Sequence, residues 1–527
     1  MDRSSQRSAD VALLALVFVA TAVYLSLLPR NLGAADESYF LYEAKRVRDG
    51  EVLYRDVFDF VTPLASYAMA GVFWLFGTSM VAARIAMACV HGLTGALLYA
   101  ASRALGVRQA LAILVPLAYL VVCQAVWPFA SWHWFATSAS AALLLVMVAA
   151  PWATQPRWAF GAGVVAGIVI GIQHQKGVIL AAATAAILLL DFLVDRRYAA
   201  PASWKSLAVR LASCGAGMAV VAVPLLLGFA LLAGIEPMYR ALVRFPLESY
   251  RTTFRSAWGG IGPLYFAEYT YPEVLRFSPL ALVLPVAQWA VTVLRGGDRE
   301  LVRRLSALII LSIASALSIG YFPDVIHIAF IAGILWVAAA QSLEWIARAL
   351  GAGGVARAVT AAIAIAVGGG LIGQLARYAQ TLHAQYPFTH QTAFGRVDFG
   401  DRWEPLLIDR LRELLGGATG REIFCYPQLS SPYLTTGARN PTPYQFLQAG
   451  VSPDHQIDEA LRILEARRVP FVVAAPFLMQ GKDPIGRYVR DHYDSISIPE
   501  VTALEELPTY WVYVRRNDAR GTQPAQP

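Results

Sequence analysis

Apolar residues fall in long unbroken runs along most of this chain. About 20 helical residues are needed to cross roughly 30 Å of hydrocarbon. Runs of that kind lie near 11–28, 79–102, 109–127, 133–151, 158–173, 177–194, 207–233, 277–294, 305–322, 325–346 and 355–375, which predicts eleven transmembrane helices. The first run exceeds the apolar core of a signal peptide, about 7–15 residues, and reads as an uncleaved helix. The stretch 62–76 is also apolar, but at about 1.5 Å per residue it reaches only about 22 Å. Thr62-Pro63 offers an N-cap and first-turn proline, and Gly77 a stop. That predicts a helix lying along the membrane interface rather than across it.

From about residue 376 the pattern changes. Glu422–Tyr426 and Phe471–Ala475 have the look of short buried strands, and His455–Arg468 of an amphipathic helix between them. The expected architecture is an all-α polytopic module over 1–375, with a long first outer loop (29–78) and another at 234–276. A small α/β domain follows over 376–527, ending in a disordered tail from 521.

Composition agrees with this pattern. Hydrophobic residues make up 57% of the 527, and charged residues only 15%. Soluble chains are closer to about 45–50% and 25%, so a soluble enzyme, a disordered scaffold and a fibrous protein are excluded. No Lys/Arg run or nucleic-acid signature accompanies the net charge of +7. Four cysteines scattered along the chain form no disulfide framework.

Cytoplasmic loops carry an excess of Lys and Arg. With the N-terminus inside, the inner loops hold Arg103, Arg108, Arg157, Arg196, Arg197, Lys205, Arg210, Arg295, Arg299, Arg303, Arg304, Arg348 and Arg357, whereas the short outer turns hold only Lys176. Treating 62–76 as a span would reverse every later loop. The C-terminal domain is therefore expected in the periplasm of a bacterial inner-membrane protein.

Acids and imidazoles then gather on the outer side. The first outer loop carries Asp36, Glu37, Tyr39 and Asp59; later turns carry His133, His174, Lys176, Asp324 and His327. The 234–276 loop holds Arg240/Arg244 and Arg251/Arg255, two i,i+4 pairs that would each share a helix face. Each has a plainer reading. Asp36 fits an N-cap as well as a catalyst, His133 an interfacial aromatic belt, and His174 and Lys176 a helix-end anchor. Asp324 and His327 fit a cap, and the arginines solvated loop charges. No HExxH or CxxC spacing marks a metal site, although Asp324, His327 and a further acid leave room for a divalent cation.

The first loop also resembles a known family. Asp36-Glu37 directly after span one, then Gly50-Glu51-Val52-Leu53-Tyr54-Arg55-Asp56, Asp59-Phe60-Val61-Thr62-Pro63-Leu64, Tyr67 and Arg84 are similar to the GT-C glycosyltransferases that use polyprenyl-phosphate sugars, such as protein O-mannosyltransferases and lipid A aminoarabinose transferases. The match covers about 30–105. It departs in the next outer turn, where relatives often carry a second acid and this chain has Trp132-His133-Trp134.

The resemblance implies a GT-C-like helix bundle with interfacial helices in the first loop and a periplasmic cavity. It implies an inverting glycosyltransferase of the cell envelope, moving a sugar from a polyprenyl-phosphate donor to a hydroxyl of a glycan, glycolipid or protein, with no cofactor required. Asp36 would be the general base and Glu37 its helper. Lys176, His174, Arg240, Arg244, Arg251 and Arg255 would contact the donor phosphate, with Tyr39, Asp59, His133, Asp324 and His327 as further site candidates. The rival readings are a transporter or flippase of a lipid-linked sugar and a non-catalytic subunit of a glycan assembly system. Transporters usually hold their charges near the bilayer midplane; here they collect at one face.

Overall fold

In the computed structural model of the chain, the described residues are 3–33, 36–149, 155–198, 203–250, 255–261, 270–351, 354–417, 419–475, 481–504 and 508–516. The architecture is the expected all-α polytopic one. Among the described residues, nine helices are long and apolar enough to cross a membrane: Ser8–Ser26, Met80–Ala104, Gln109–Val126, Trp132–Ala149, His174–Arg197, Trp204–Ala233, Arg299–Ser318, Val325–Ala349 and Ala358–Gln385. The other two expected spans are shorter apolar helices, Pro156–Ile172 and Ser278–Leu294. The expected tail from 521, and Arg251, lie outside the described residues.

Pro156–Ile172 packs along Trp204–Ala233 with almost no side chain between the backbones. A Cβ on Gly163 would run into the Cys214 carbonyl, and one on Gly217 into the Phe160 carbonyl. Small residues permit this closeness where lipid offers no hydrophobic drive to association.

The expected interfacial helix is Leu64–Phe76, 13 residues long. It buries Met69 and Phe73, while Trp74, Leu75 and Phe76 in its last turn are 75%, 65% and 74% exposed. Thr62 does not cap it. Its hydroxyl instead donates to the Ile170 carbonyl at 2.7 Å, tying the loop to a neighbouring helix. A second helix in the same loop, Asp36–Arg48, is polar yet largely buried.

Two faces of the bundle separate by chemistry. On one, the arginines pair with acids from other helices: Arg103 with Asp10 at 2.8 Å, Arg108 with Glu344 at 2.9 Å, Arg210 with Asp191 at 2.8 Å, and Arg299 with Asp195. The first loop and the C-terminal region meet on the other.

That C-terminal region follows the helix ending at Gln385. A hairpin pairs β1 (Phe388–Thr392) with β2 (Gly395–Phe399). A four-stranded sheet has the order β3 (Ile423–Tyr426), β4 (Phe471–Ala474), β6 (Trp511–Arg515), β5 (Tyr493–Ser495), with β3 and β4 parallel and the other pairs antiparallel. The two expected strands are the fully buried β3 and β4, and the expected helix is Asp454–Ala466.

The region is tied to the first loop. Tyr42 stacks on Tyr433 with ring centroids 4.6 Å apart. The Asn440 N–H donates to the Tyr42 hydroxyl at 2.8 Å, the Phe58 N–H to the Pro443 carbonyl at 2.9 Å, and Arg46 to the Thr442 carbonyl at 3.1 Å.

Candidate functional site

A cavity of about 920 Å³ lies where the first loop, the bundle and the C-terminal region meet. Four helices begin at its wall, contributing Asp36, Trp132 with His133, Gln175, and His327 from their first turns. Unsatisfied N–H groups and aligned peptide dipoles make such helix starts favourable to negative charge. Arg255 and Ser256 add donors. Ile179, Leu247 and Leu317 give the cavity an apolar side, and Gln428 and Phe446 of the C-terminal region cover it.

Asp36 faces this space from the first turn of its helix. Burial pushes its carboxyl up from the ordinary carboxylate value; the charge of His327 pulls it back down and that of Asp324 adds to the rise. His327 is fixed by Asp324. One carboxylate oxygen accepts the His327 backbone N–H at 2.8 Å, capping the helix, and also takes ring Nδ1 at 2.6 Å. The expected cap is therefore real, and the same atom orients the imidazole. The His133 ring lies 5.4 Å from that of His327 and stacks on Phe330 at 4.4 Å.

Lys176 does not line the cavity but sits in the helix turn between Gln175 and Ile179, which do. It is 3% exposed, lies within electrostatic reach of His133, and makes no hydrogen bond or ion pair with a described residue. His174 turns elsewhere: its Nε2 donates to the Leu242 carbonyl at 2.8 Å, so it does not line the cavity but holds the 235–250 segment, which lends Pro246, Leu247 and Tyr250 to the wall.

The remaining candidates divide. Glu37 is not in the cavity. Its carboxylate accepts the N–H groups of Gly33 at 2.7 Å and Ala130 at 2.6 Å and a two-pronged contact from Arg84 at 2.5 and 3.0 Å. A carboxylate so engaged has no lone pair aimed at a substrate, which corrects its assignment as catalytic helper. Arg240 and Arg244 are also misplaced. Each pairs with an acid on its own turn, Glu236 at 2.6 Å and Glu248 at 2.8 Å, and each is 57% exposed. Of the two arginine pairs, Arg255 alone among the described residues reaches the cavity.

Tyr39 lines the cavity, and its hydroxyl donates to Asp59 at 3.0 Å. Asp59 lies behind it, 1% exposed, in contact with Glu43, 0% exposed. Burial pushes both carboxyls up, and the charge of Asp59 raises Glu43 further. Two carboxyls that close do not both ionise readily. Sequence reading passed over Glu43, although it falls on the same helix face as Asp36 and Tyr39 (i, i+3, i+7). Tyr250, Gln428 and Phe446 were also missed; only the folded chain brings them to this wall. Among the described residues no three of His, Cys, Asp and Glu are arranged to hold a metal ion.

The whole chain superposes on the crystal structure of ArnT from Cupriavidus metallidurans bound to undecaprenyl phosphate, with TM-score 0.56 over 97% of this chain and 98% of that one. The two share one fold. Sequence identity is 16%; the apo structure of the same ArnT gives TM-score 0.55 at the same identity and coverage. The arabinofuranosyltransferase AftD from Mycobacteria aligns more loosely, at TM-score 0.46, 14% identity, and 95% of this chain against 41% of its own. No protein-family model matches the chain, and no curated protein sequence does. The fold shared with ArnT is the GT-C one expected from the first loop.

Proposed function

We propose that this protein is an inverting glycosyltransferase that moves a sugar from a polyprenyl-phosphate donor to a hydroxyl acceptor. One observation carries the reading: the Asp36 carboxylate faces a cavity of about 920 Å³ whose wall is built from helix N-termini and Arg255 and whose side is apolar. A carboxylate next to an anion-favouring wall suits a substrate with a reacting hydroxyl, a phosphate and a lipid tail. The fold shared with ArnT, there bound to undecaprenyl phosphate, supports the same donor class.

In this mechanism the acceptor hydroxyl, a poor nucleophile near neutral pH, gives its proton to Asp36 as it attacks the anomeric carbon. The bond from that carbon to the phosphate oxygen breaks, and its electron pair leaves on the lipid phosphate. A single in-line displacement inverts the anomeric centre. The departing charge is stabilised by Arg255 and by the helix N-termini, with the charge of Lys176 close behind the wall; preorganised donors are worth about 2.7–4 kcal/mol each at a transition state. Glu37, held by Arg84, fixes the start of the Asp36 helix. The arginine asymmetry supports a site on the periplasmic side of the inner membrane.

The test is transfer of labelled sugar by the purified protein across a panel of polyprenyl-phosphate donors and hydroxyl acceptors. Product with an inverted anomeric centre is expected. Absence of product with every polyprenyl-phosphate sugar would overturn the reading.

A further inference from the structure

The proposed reaction leaves a proton on Asp36, a half-buried carboxyl that must lose it before the next turnover. The residue placed to receive it is on the same cavity wall. His327 is the histidine whose charge acts on Asp36, and Asp324, the carboxylate that grips His327, acts on Asp36 too. With Nδ1 committed to Asp324 at 2.6 Å, the nitrogen left to exchange protons is Nε2. The ring has little freedom to turn. His133 stands edge-on to it at 5.4 Å, Phe322 at 5.2 Å, and Tyr321 at 5.9 Å. A carboxylate on one nitrogen fixes the tautomer and the orientation of the ring, leaving the other nitrogen to meet a proton donor.

We propose that Asp324 and His327 form the second proton-handling unit of the site, resting on the transferase reading above: His327 Nε2 takes from Asp36 the proton that Asp36 removed from the acceptor. The balance is simple. The hydroxyl O–H bond breaks and an Asp36 O–H bond forms during transfer. That O–H bond then breaks as the N–H bond forms on His327, restoring the Asp36 carboxylate. The imidazolium is held by Asp324 and releases its proton to water in the cavity. No oxidant, metal or other co-reactant takes part. His327 is then a catalytic residue and Asp324 its positioning residue. Among the described residues, the titratable groups around the ring are Asp36, His133, Asp324, Tyr321 and Tyr250.

A helix cap alone would explain Asp324, so the test must separate the two roles. Asn and Ser cap helices about as well as Asp. Asp324→Asn therefore keeps the acceptor for the His327 N–H but removes the carboxylate from the ring. The expected result is a folded protein with unchanged KM for both substrates and kcat lowered about 10²-fold, within the usual range for general acid–base catalysis. His327→Ala should lose a similar factor and recover part of it when imidazole is added to the assay. His327→Gln serves as a second variant if the alanine protein does not fold. Wild-type kcat in both Asp324→Asn and a folded His327 variant, with transfer by the wild-type protein intact, would overturn the relay and leave the transferase reading standing. A rise in KM at unchanged kcat would overturn it as well, in favour of a binding role. Absence of transfer by the wild-type protein would overturn both.

Discussion

Arg84 meets both carboxylate oxygens of Glu37, at 2.5 and 3.0 Å, across 47 residues of sequence. The side chains are 13% and 0% exposed, so water cannot replace either partner. Removing one partner of such a pair leaves a buried charge uncompensated, at a typical cost of about 3–5 kcal/mol. Arg84→Met and Glu37→Gln should therefore lower the unfolding temperature of the detergent-solubilised protein. Glu37→Gln should also reduce activity, because the Asp36 helix begins beside it, but in proportion to the folded fraction. Activity lost from fully folded Glu37→Gln protein would return that residue to the chemistry.

Asp36→Asn should do the opposite. Asp36 faces the cavity, so the variant should unfold at the wild-type temperature. Loss of a general base should cost about 10²–10⁴ in kcat. Circular dichroism melting beside a single-turnover transfer assay checks both halves, and wild-type turnover would remove Asp36 from its role.

Lys176 is buried, one of only four lysines in an arginine-rich chain, and it has no carboxylate partner among the described residues. A lipid phosphate would supply one. Lys176→Ala should raise the dissociation constant for polyprenyl phosphate about tenfold, ~1.4 kcal/mol, with acceptor KM unchanged. Unaltered binding of polyprenyl phosphate in a microscale titration would count against the phosphate role.

The C-terminal region carries a pH dependence of its own. Burial pushes the Glu404 carboxyl up to about 7, the charge of Asp401 adds to the rise, and the Tyr510 hydroxyl, donating at 2.7 Å, opposes it. A raised carboxyl binds its proton more tightly in the folded chain than in the unfolded one. Its contribution to stability is thus complete below the ordinary glutamate value of 4.5 and disappears as pH rises through about 7. Melting temperature should fall between roughly pH 5 and pH 8. Glu404→Gln, whose amide oxygen accepts the Tyr510 bond without ionising, should flatten that slope. An identical slope in the variant would assign the pH dependence elsewhere.

Much of the fold was legible because membrane spans are signalled by run length, which needs no tertiary information. The interfacial Leu64–Phe76 helix was readable from length alone, and β3 and β4 from their continuous apolar character. The hairpin of β1 and β2 was not, because Phe388–Thr392 and Gly395–Phe399 are rich in polar residues and half-exposed. At the site, topology brought Asp36, His133 and His327 to one wall. It could not tell which way neighbouring side chains point, and so it treated Asp36 and Glu37 as a pair. One helix step of about 100° separates a cavity-facing carboxyl from one locked by Arg84. The arginines at 240 and 244 were read by spacing, and their own i,i+4 acids were overlooked.

Gln428 and Phe446, which cover the cavity, belong to the last quarter of the chain, and their loops are held down by Tyr42, Arg46 and Phe58 near its beginning. During synthesis the Asp36 helix is complete hundreds of residues before that cover exists, and the last span that lines the cavity, Val325–Ala349, also precedes it. A nascent or prematurely stopped chain thus carries an uncapped vestibule, and enclosure of the reaction chamber becomes the closing event of the protein's own assembly.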